Sequence, residues 1–321
     1  MPTLGKLYQQ SMLKHPYGYA LYEPESSKVL QPGYCGYFTE LGQWTPLLGI
    51  DQKIISLGDS LSLTQNGLTR FEHFHPAPSD ERSWGPKLSG HVIQRKVDLE
   101  TSASALIPSG IPVDIGALYR YSNDDGFGAI LMTETPVIKD LVYGTTTFRL
   151  WCKENSETIL RKWPDVREYG LVIVTSTYRT RLAMLNAWAQ KGKEISVGFR
   201  GGVVGIGEIA PSSTWYTSHE EAGWVSTEAT EPGESKVVFC GGLYFKYRRL
   251  AAILPQSRAL KQEPVEKVKF RDVDPEEKNF RIFDHDSCDD GVYETFVTSE
   301  ELGEMINLPA NEEGTDGDDD F

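Results

Sequence analysis

The apolar positions of this chain switch between a helical and a two-residue period. Leu4, Leu7, Tyr8 and Met12 recur at helical spacing between Pro2 and Pro16, which predicts a short amphipathic helix over residues 2–14. A passage rich in Pro, Gly and Tyr follows from Pro16 to Trp44, and the polar stretch from His73 to Pro86, with three prolines, reads as an exposed loop. Ile111, Val113, Ile115, Ala117, Tyr119 and Tyr121 then alternate with Pro112, Asp114, Gly116, Arg120 and Ser122, interrupted by Leu118. Asn123-Asp124-Asp125-Gly126 is a turn signal, and Phe127 to Thr133 is expected to return as a strand. Phe148, Trp151, Cys152, Ile159 and Leu160 define a helix that Pro164 stops. A strand from Tyr169 through Thr175 is expected to return through Ile195, Val197, Phe199 and Val203. A last strand alternates Val237, Phe239, Leu243, Phe245 and Tyr247 and runs into the basic cluster Lys246, Arg248 and Arg249.

Beyond Pro255 the β pattern fades and charge takes over. The formal net charge of the 321 residues is −14, and residues 261–321 alone hold 20 acidic and 6 basic side chains, which accounts for all of it. Scattered through this acidic background are Phe280, Ile282, Phe283, Val292, Tyr293, Phe296, Val297, Leu302, Met305, Ile306 and Leu308, more apolar residues than a solvated tail carries. They predict a segment that docks on the preceding domain, with low complexity confined to about the last 12 residues.

Such a charge balance argues against nucleic acid as a partner, because phosphate binding depends on clustered Lys and Arg. Met1-Pro2-Thr3-Leu4-Gly5-Lys6 opens no basic-then-apolar leader, and no run approaches the roughly 18 apolar residues of a spanning helix. Cys35, Cys152, Cys240 and Cys288 lie far apart, which fits reduced, buried thiols in a cytoplasmic protein. Gly58-Asp59-Ser60-Leu61 spells the nucleophile block of the esterases named for that tetrapeptide. A base for Ser60 is missing, however: neither His219 nor His285 has an Asp three positions earlier, and Ser122-Asn123-Asp124 lacks the glycine of that family's Asn block. His73 and His75 have no third metal ligand in register. The glycines of residues 198–207 lack the Lys-Ser/Thr of a phosphate cradle and fit β bulges or close strand approach. The chain is therefore read as non-enzymatic, with no cofactor and no metal.

Two segments organise the rest. Lys87-Leu88-Ser89-Gly90-His91-Val92 leads through a long hairpin to Gly128-Ala129-Ile130-Leu131-Met132. Tyr169 to Thr180, with its return and the closing Lys236-Val237-Val238-Phe239-Cys240-Gly241-Gly242-Leu243-Tyr244-Phe245, forms a second. Over roughly residues 2–250 this order of elements resembles the pore-forming domain of the gasdermin family, with its two extendable β hairpins. The resemblance implies an α+β fold: a twisted, mainly antiparallel sheet with long hairpins and a few helices. It implies a domain over residues 1–250 and a linker with an inhibitory tail over 251–321. The roughly 70 residues after Leu250 are closer to the short tails of fungal members than to the large helical inhibitor of animal members.

What the resemblance implies for function is an autoinhibited protein. After proteolysis by an activating protease it moves from the cytoplasm to the plasma membrane, binds acidic phospholipid, oligomerises with itself into a β-barrel pore and causes lytic cell death. The candidate lipid-binding residues are Lys6, Lys14, Arg95, Lys96, Arg179, Arg181, Lys191, Lys193, Lys246, Arg248 and Arg249. Residues 111–121 and 195–205 come nearest to the roughly 9–11 alternating residues of a barrel strand, with Ile111, Val113, Ile115, Ile195, Val197 and Phe199 as membrane-facing positions. Residues 179–193 read as a hairpin tip. Lys269-Phe270-Arg271 is the candidate cleavage region. The alternative readings are a non-catalytic binding or scaffold protein whose acidic tail recruits a basic partner, and the esterase built on Ser60.

Overall fold

The computed structural model describes residues 3–97, 115–123, 126–200, 214–217, 223–253, 279–285 and 292–302. In chain order its first elements are α1 (Leu4–Met12), β1 (Tyr19–Ser26), β2 (Cys35–Phe38), β3 (Trp44–Pro46), α2 (Ser60–Gln65), β4 (His75–Pro76) and β5 (Asp80–Arg82). Next come β6 (Lys87–Leu88), β7 (Val92–Val97), β8 (Ala117–Asn123), β9 (Gly128–Thr133), β10 (Val137–Tyr143), α3 (Thr145–Lys162) and α4 (Val166–Tyr169). The remainder are β11 (Leu171–Thr180), β12 (Leu182–Trp188), β13 (Glu194–Arg200), β14 (Thr214–Thr217), β15 (Trp224–Glu228), β16 (Lys236–Ile253), β17 (Asn279–His285) and β18 (Val292–Glu301). The fold is α+β with mainly antiparallel strands, as the sequence predicts.

Both predicted helices form. Thr3 caps α1 by accepting the Lys6 amide at 3.3 Å, and Tyr8, Gln9 and Met12 are its buried face. The 18 residues of α3 bury Phe148, Trp151, Cys152, Ile159 and Leu160, with Arg161 and Lys162 in the last turn where they complement the helix dipole. Trp151 Nε1 donates to Thr69 O at 2.9 Å and Asn155 Oδ1 accepts the Thr69 amide at 2.8 Å, so the helix is tied to the chain that precedes it.

The body is a ten-stranded sheet with β16 and β11 at its centre. One face packs Ile173, Leu243, Phe245 and Tyr247 against α3; the other packs Tyr19, Leu21, Phe38, Trp44, Val172, Val174 and Tyr244. One edge of β16 pairs with β11 from Lys236 to Phe245. Its other edge pairs first with β1 (Lys236 to Cys240) and then with β18 (Leu243 to Ile253). The changeover falls at Gly241-Gly242, where the neighbouring strand comes so close that a Cβ on Gly242 would stand 2.4 Å from Ile173 O.

The tail docks as its scattered apolar residues predict. β17 and β18 form an antiparallel hairpin, and β18 lies along ten positions of β16. Val297 enters the core under α3, Leu302 enters the core on the opposite face, and the Leu302 amide donates to Gly242 O at 2.8 Å. Both side chains are fully buried. Truncating a buried leucine costs about 2–5 kcal/mol, so Leu302→Ala is expected to raise amide exchange across residues 292–302 at least tenfold while leaving residues 171–178 protected. Equal exchange in the two regions would contradict this docking.

Candidate functional site

The remaining strands form two four-stranded sheets. One has the order β15-β12-β9-β6, the other β14-β13-β8-β7. Each strand of the first continues into the matching strand of the second: β6 into β7, β8 into β9, β12 into β13, β14 into β15. The described parts of the two sheets are therefore one ribbon of four legs folded back on itself: residues 87–97, 117–123 with 126–133, 182–200, and 214–217 with 223–228. The legs are joined in pairs through residues 98–116 and 201–213, most of which lie outside the described part.

The central pair of legs keeps its register around the bend. Ser122 pairs with Glu194 on one side of it and Gly128 with Trp188 on the other, so six residues advance on each leg. The outer legs take shorter paths. Val92 to Leu88 covers four residues where its neighbour uses seven, and Thr217 to Trp224 covers seven where its neighbour uses eleven. Between the folded halves lie Ala117, Tyr119, Tyr121, Ile195, Val197 and Phe199 from one sheet, and Ile130, Met132 and Trp188 from the other. The outer face of the β13/β8 sheet carries Arg120, Ser122, Glu194 and Arg200, with Arg120 and Glu194 3.9 Å apart. The β12/β9 sheet is covered on its second face as well, where Ala129, Leu131, Ala183 and Leu185 meet Tyr8 and Met12 of α1.

Hydrogen bonds close the bend. Buried Asn123 accepts Trp188 Nε1 on Oδ1 at 2.9 Å, donates from Nδ2 to Gly126 O at 3.0 Å, and accepts the Gly192 amide on its carbonyl at 3.3 Å. Gly126 has φ +71°, and Gly128 leaves room for the Trp188 indole, which a Cβ would meet at 2.5 Å. Ser89 Oγ accepts the Ala129 amide at 2.9 Å. The end of α1 reaches the same corner: Lys14 Nζ donates to Ser89 O at 3.2 Å, and His15 Nε2 lies 2.9 Å from Leu88 O. Lys87 sits over Trp84 and Tyr17, its ammonium 4.8 and 5.4 Å from the ring centroids.

The folded interior also holds polar groups without partners. Asn186 lies between Leu185 and Ala187, shares a face with Met184 and Trp188, and is fully buried. Neither atom of its amide has a hydrogen-bond partner, nor has Nε1 of Trp224, the residue paired with it across the strands. The Tyr121 hydroxyl of the facing sheet is likewise unpartnered. Each such group costs about 1–3 kcal/mol.

The structure sorts the predicted cations into groups. Lys14, Lys191 and Lys193 lie near the bend, and Lys87, which is not among the predicted lipid-binding residues, stands on the strand that leads into it. Arg95 and Lys96 are exposed on the outer leg β7, and Lys6 is exposed on α1. Lys246, Arg248 and Arg249 lie on β16 opposite Thr298, Phe296 and Thr295 of β18. Arg179 and Arg181 are internal tie points: Arg179 Nε donates to Asp140 at 2.6 Å, and Arg181 pairs with Glu134 at 2.8 Å and Glu228 at 3.0 Å.

Three expectations are corrected. The turn at residues 123–126 does not join a hairpin, because β8 and β9 belong to different sheets and face one another across the interior. The partner of β13 is β8 rather than β11, and the supposed tip at residues 179–193 contains β12, a strand buried between two layers. Ile115 packs with Leu118, Val97 and Tyr216 on the other side of its sheet from Tyr119 and Tyr121, because the chain bends at Gly116. Ile111, Val113, Lys269, Phe270 and Arg271 lie outside the described residues.

Ser60 opens α2, where Asp59 caps the helix by accepting the Ser62 amide at 3.1 Å, and no hydrogen bond joins Ser60 to a histidine among the described residues. Nor do three or more metal-ligating side chains come together there. Cys35, Cys152 and Cys240 are free and buried, and burial raises each thiol pKa. No described helix is long and apolar enough to cross a membrane, which leaves strands unconstrained. Comparison with family models, curated proteins and solved structures found no match.

Burial lowers the His15 pKa, and Lys14 and Lys87 lower it further against the opposing hydrogen bond to Leu88 O. A folded pKa below the unfolded value means that the unfolded chain takes up the proton first as pH falls, so stability drops below about pH 6.5. His15→Gln keeps a donor for Leu88 O without a titrating ring. Its thermal midpoint is expected to fall less than that of the native chain between pH 7 and pH 5, which differential scanning fluorimetry would read.

Proposed function

We propose that this chain is an autoinhibited pore-forming protein whose folded ribbon is the membrane-inserting element. The observation that carries the reading is the continuous register of the two central legs around the bend. A pair that keeps step through a fold straightens without breaking and re-forming its ladder. Straightened, residues 182–200 span about 60 Å, well beyond the roughly 9–11 residues a barrel strand needs.

The β13/β8 sheet is two-faced along most of its length: Ala117, Tyr119, Tyr121, Ile195, Val197 and Phe199 lie on the face now buried, and Arg120, Ser122, Glu194 and Arg200, interrupted by Leu118, on the other. Lys191 and Lys193 fall at the bend, just short of the apolar stretch, where they meet acidic headgroups at about 1 kcal/mol each. β7 and β14 are the outer strands of this sheet. Pairing of one copy's outer leg with the opposite outer leg of the next is a head-to-tail contact, which closes into a ring. Cell lysis follows from a pore in the plasma membrane.

The tail regulates. Its hairpin holds the far half of β16, which carries Lys246, Arg248 and Arg249, with a strand ladder and two buried side chains. Cutting the linker over residues 254–278 removes the covalent tie but leaves this ladder, so activation requires cleavage and displacement.

The test is dye release from liposomes, using the full chain with a specific protease site at residues 269–271, with and without Leu302→Ala. Intact protein is expected to release nothing. Cleaved protein is expected to release dye from liposomes holding acidic phospholipid and not from neutral ones, at least fivefold faster with Leu302→Ala. Absence of release from every form, with the proteins folded and monodisperse, would overturn the reading.

A further inference from the structure

We infer that Asn186 and Trp224 bias the ribbon toward opening: they are polar groups stranded in the interior of the folded state that regain partners when the two sheets part. The inference rests on the pore-forming reading for its purpose, but not for its physics. Asn186 sits at a position whose same-face neighbours on β12, Met184 and Trp188, are apolar, and both of its amide atoms are unpartnered in a fully buried place. Trp224, directly opposite on β15, leaves its Nε1 unpartnered on the same face. The neighbouring backbone gives no relief. Gly223 approaches Asn186 so closely that a Cβ would stand 3.0 Å from Oδ1, with φ at +106°, a conformation that favours glycine.

Trp188, two residues along β12, has its Nε1 satisfied by Asn123 at 2.9 Å. The bend is thus a satisfied polar latch, while the interior a few ångströms along the strand holds unsatisfied groups. A buried polar group that folding alone required would be hydrogen-bonded or replaced by an apolar side chain of similar shape, since either is the cheaper arrangement. The opposed pair makes the closed ribbon less stable than its apolar packing allows, while the Asn123 latch and α1 hold it shut. Parting of the sheets returns the Asn186 amide and the Trp224 indole to water, so these residues set how readily the ribbon leaves its closed form.

The experiment uses the full chain in solution. Asn186→Leu preserves side-chain shape and removes both stranded atoms; Trp224→Phe removes the stranded donor and provides an independent variant should the first fold poorly. Thermal midpoints are expected to rise by about 2–5 °C. Amide exchange over residues 117–123 and 182–188 is expected to slow about tenfold, with residues 171–178 changing less than twofold. Unchanged or faster ribbon exchange in both variants would overturn the inference, because the amide and indole would then be satisfied in the closed state. Exchange is read without a membrane. A slowed ribbon alongside the absence of dye release from any form would therefore sustain this inference while removing the pore-forming reading, and the converse pair of results would do the opposite.

Discussion

The ladder between residues 117–133 and 182–200 is the constraint on which the rest of this structure depends. Because its register survives the bend, the two halves of the ribbon are committed to stacking face to face, and every other feature of that region accommodates the stack. The outer legs cut the corner, Asn123 and Ser89 close it, and glycines at 126 and 128 admit a turn and an indole that other residues would block. The β12/β9 sheet becomes an inner layer, covered on both faces, because one side meets its own continuation and the other meets α1. The central pair alone keeps step through the fold; the outer legs, out of register with it across the bend, would have to re-pair if the ribbon were extended.

The body of the protein is organised by β16, which serves β11 along one edge and two successive partners along the other. Its far half is completed by the tail. Acidic charge alone would hold such a tail loosely, since exposed ion pairs are screened at physiological salt. Strand pairing with Val297 and Leu302 in opposite cores holds it by burial, so the tail is part of the folded sheet and its removal exposes the edge of β16.

Much of this was legible in the sequence, and the failures have physical causes. α1 and α3 announced themselves because one apolar face at a period of 3.6 is a local property. The docking of the tail was readable from apolar residues in an acidic background. The pairing of strands was not. Asn123-Asp124-Asp125-Gly126 has the same turn chemistry whether its flanking strands lie edge to edge or stack across a core, and only the partner strands β12 and β13 decide the matter. β12 was misread as a tip because Leu182–Trp188, buried on both faces, has no alternation to display. Arg179 and Arg181 look free in the sequence because their carboxylates lie 39 and 47 positions away. Asn186 gave no signal at all: a lone asparagine between apolar residues becomes informative only once its environment is seen to lack a partner.

The central claim is that the ribbon straightens, and the distance between its ends reports this directly. Residues 182 and 200 stand six positions from the bend on either side and lie at the same end of the folded ribbon. Spin labels on Leu182→Cys and Arg200→Cys, read by pulsed dipolar spectroscopy, are predicted to stand about 20 Å apart in the soluble full chain, given sheets about 10 Å apart and the reach of the labels. In liposomes that have released their contents the account predicts about 60 Å, the length of the extended leg. A short distance that persists in leaking liposomes would contradict it.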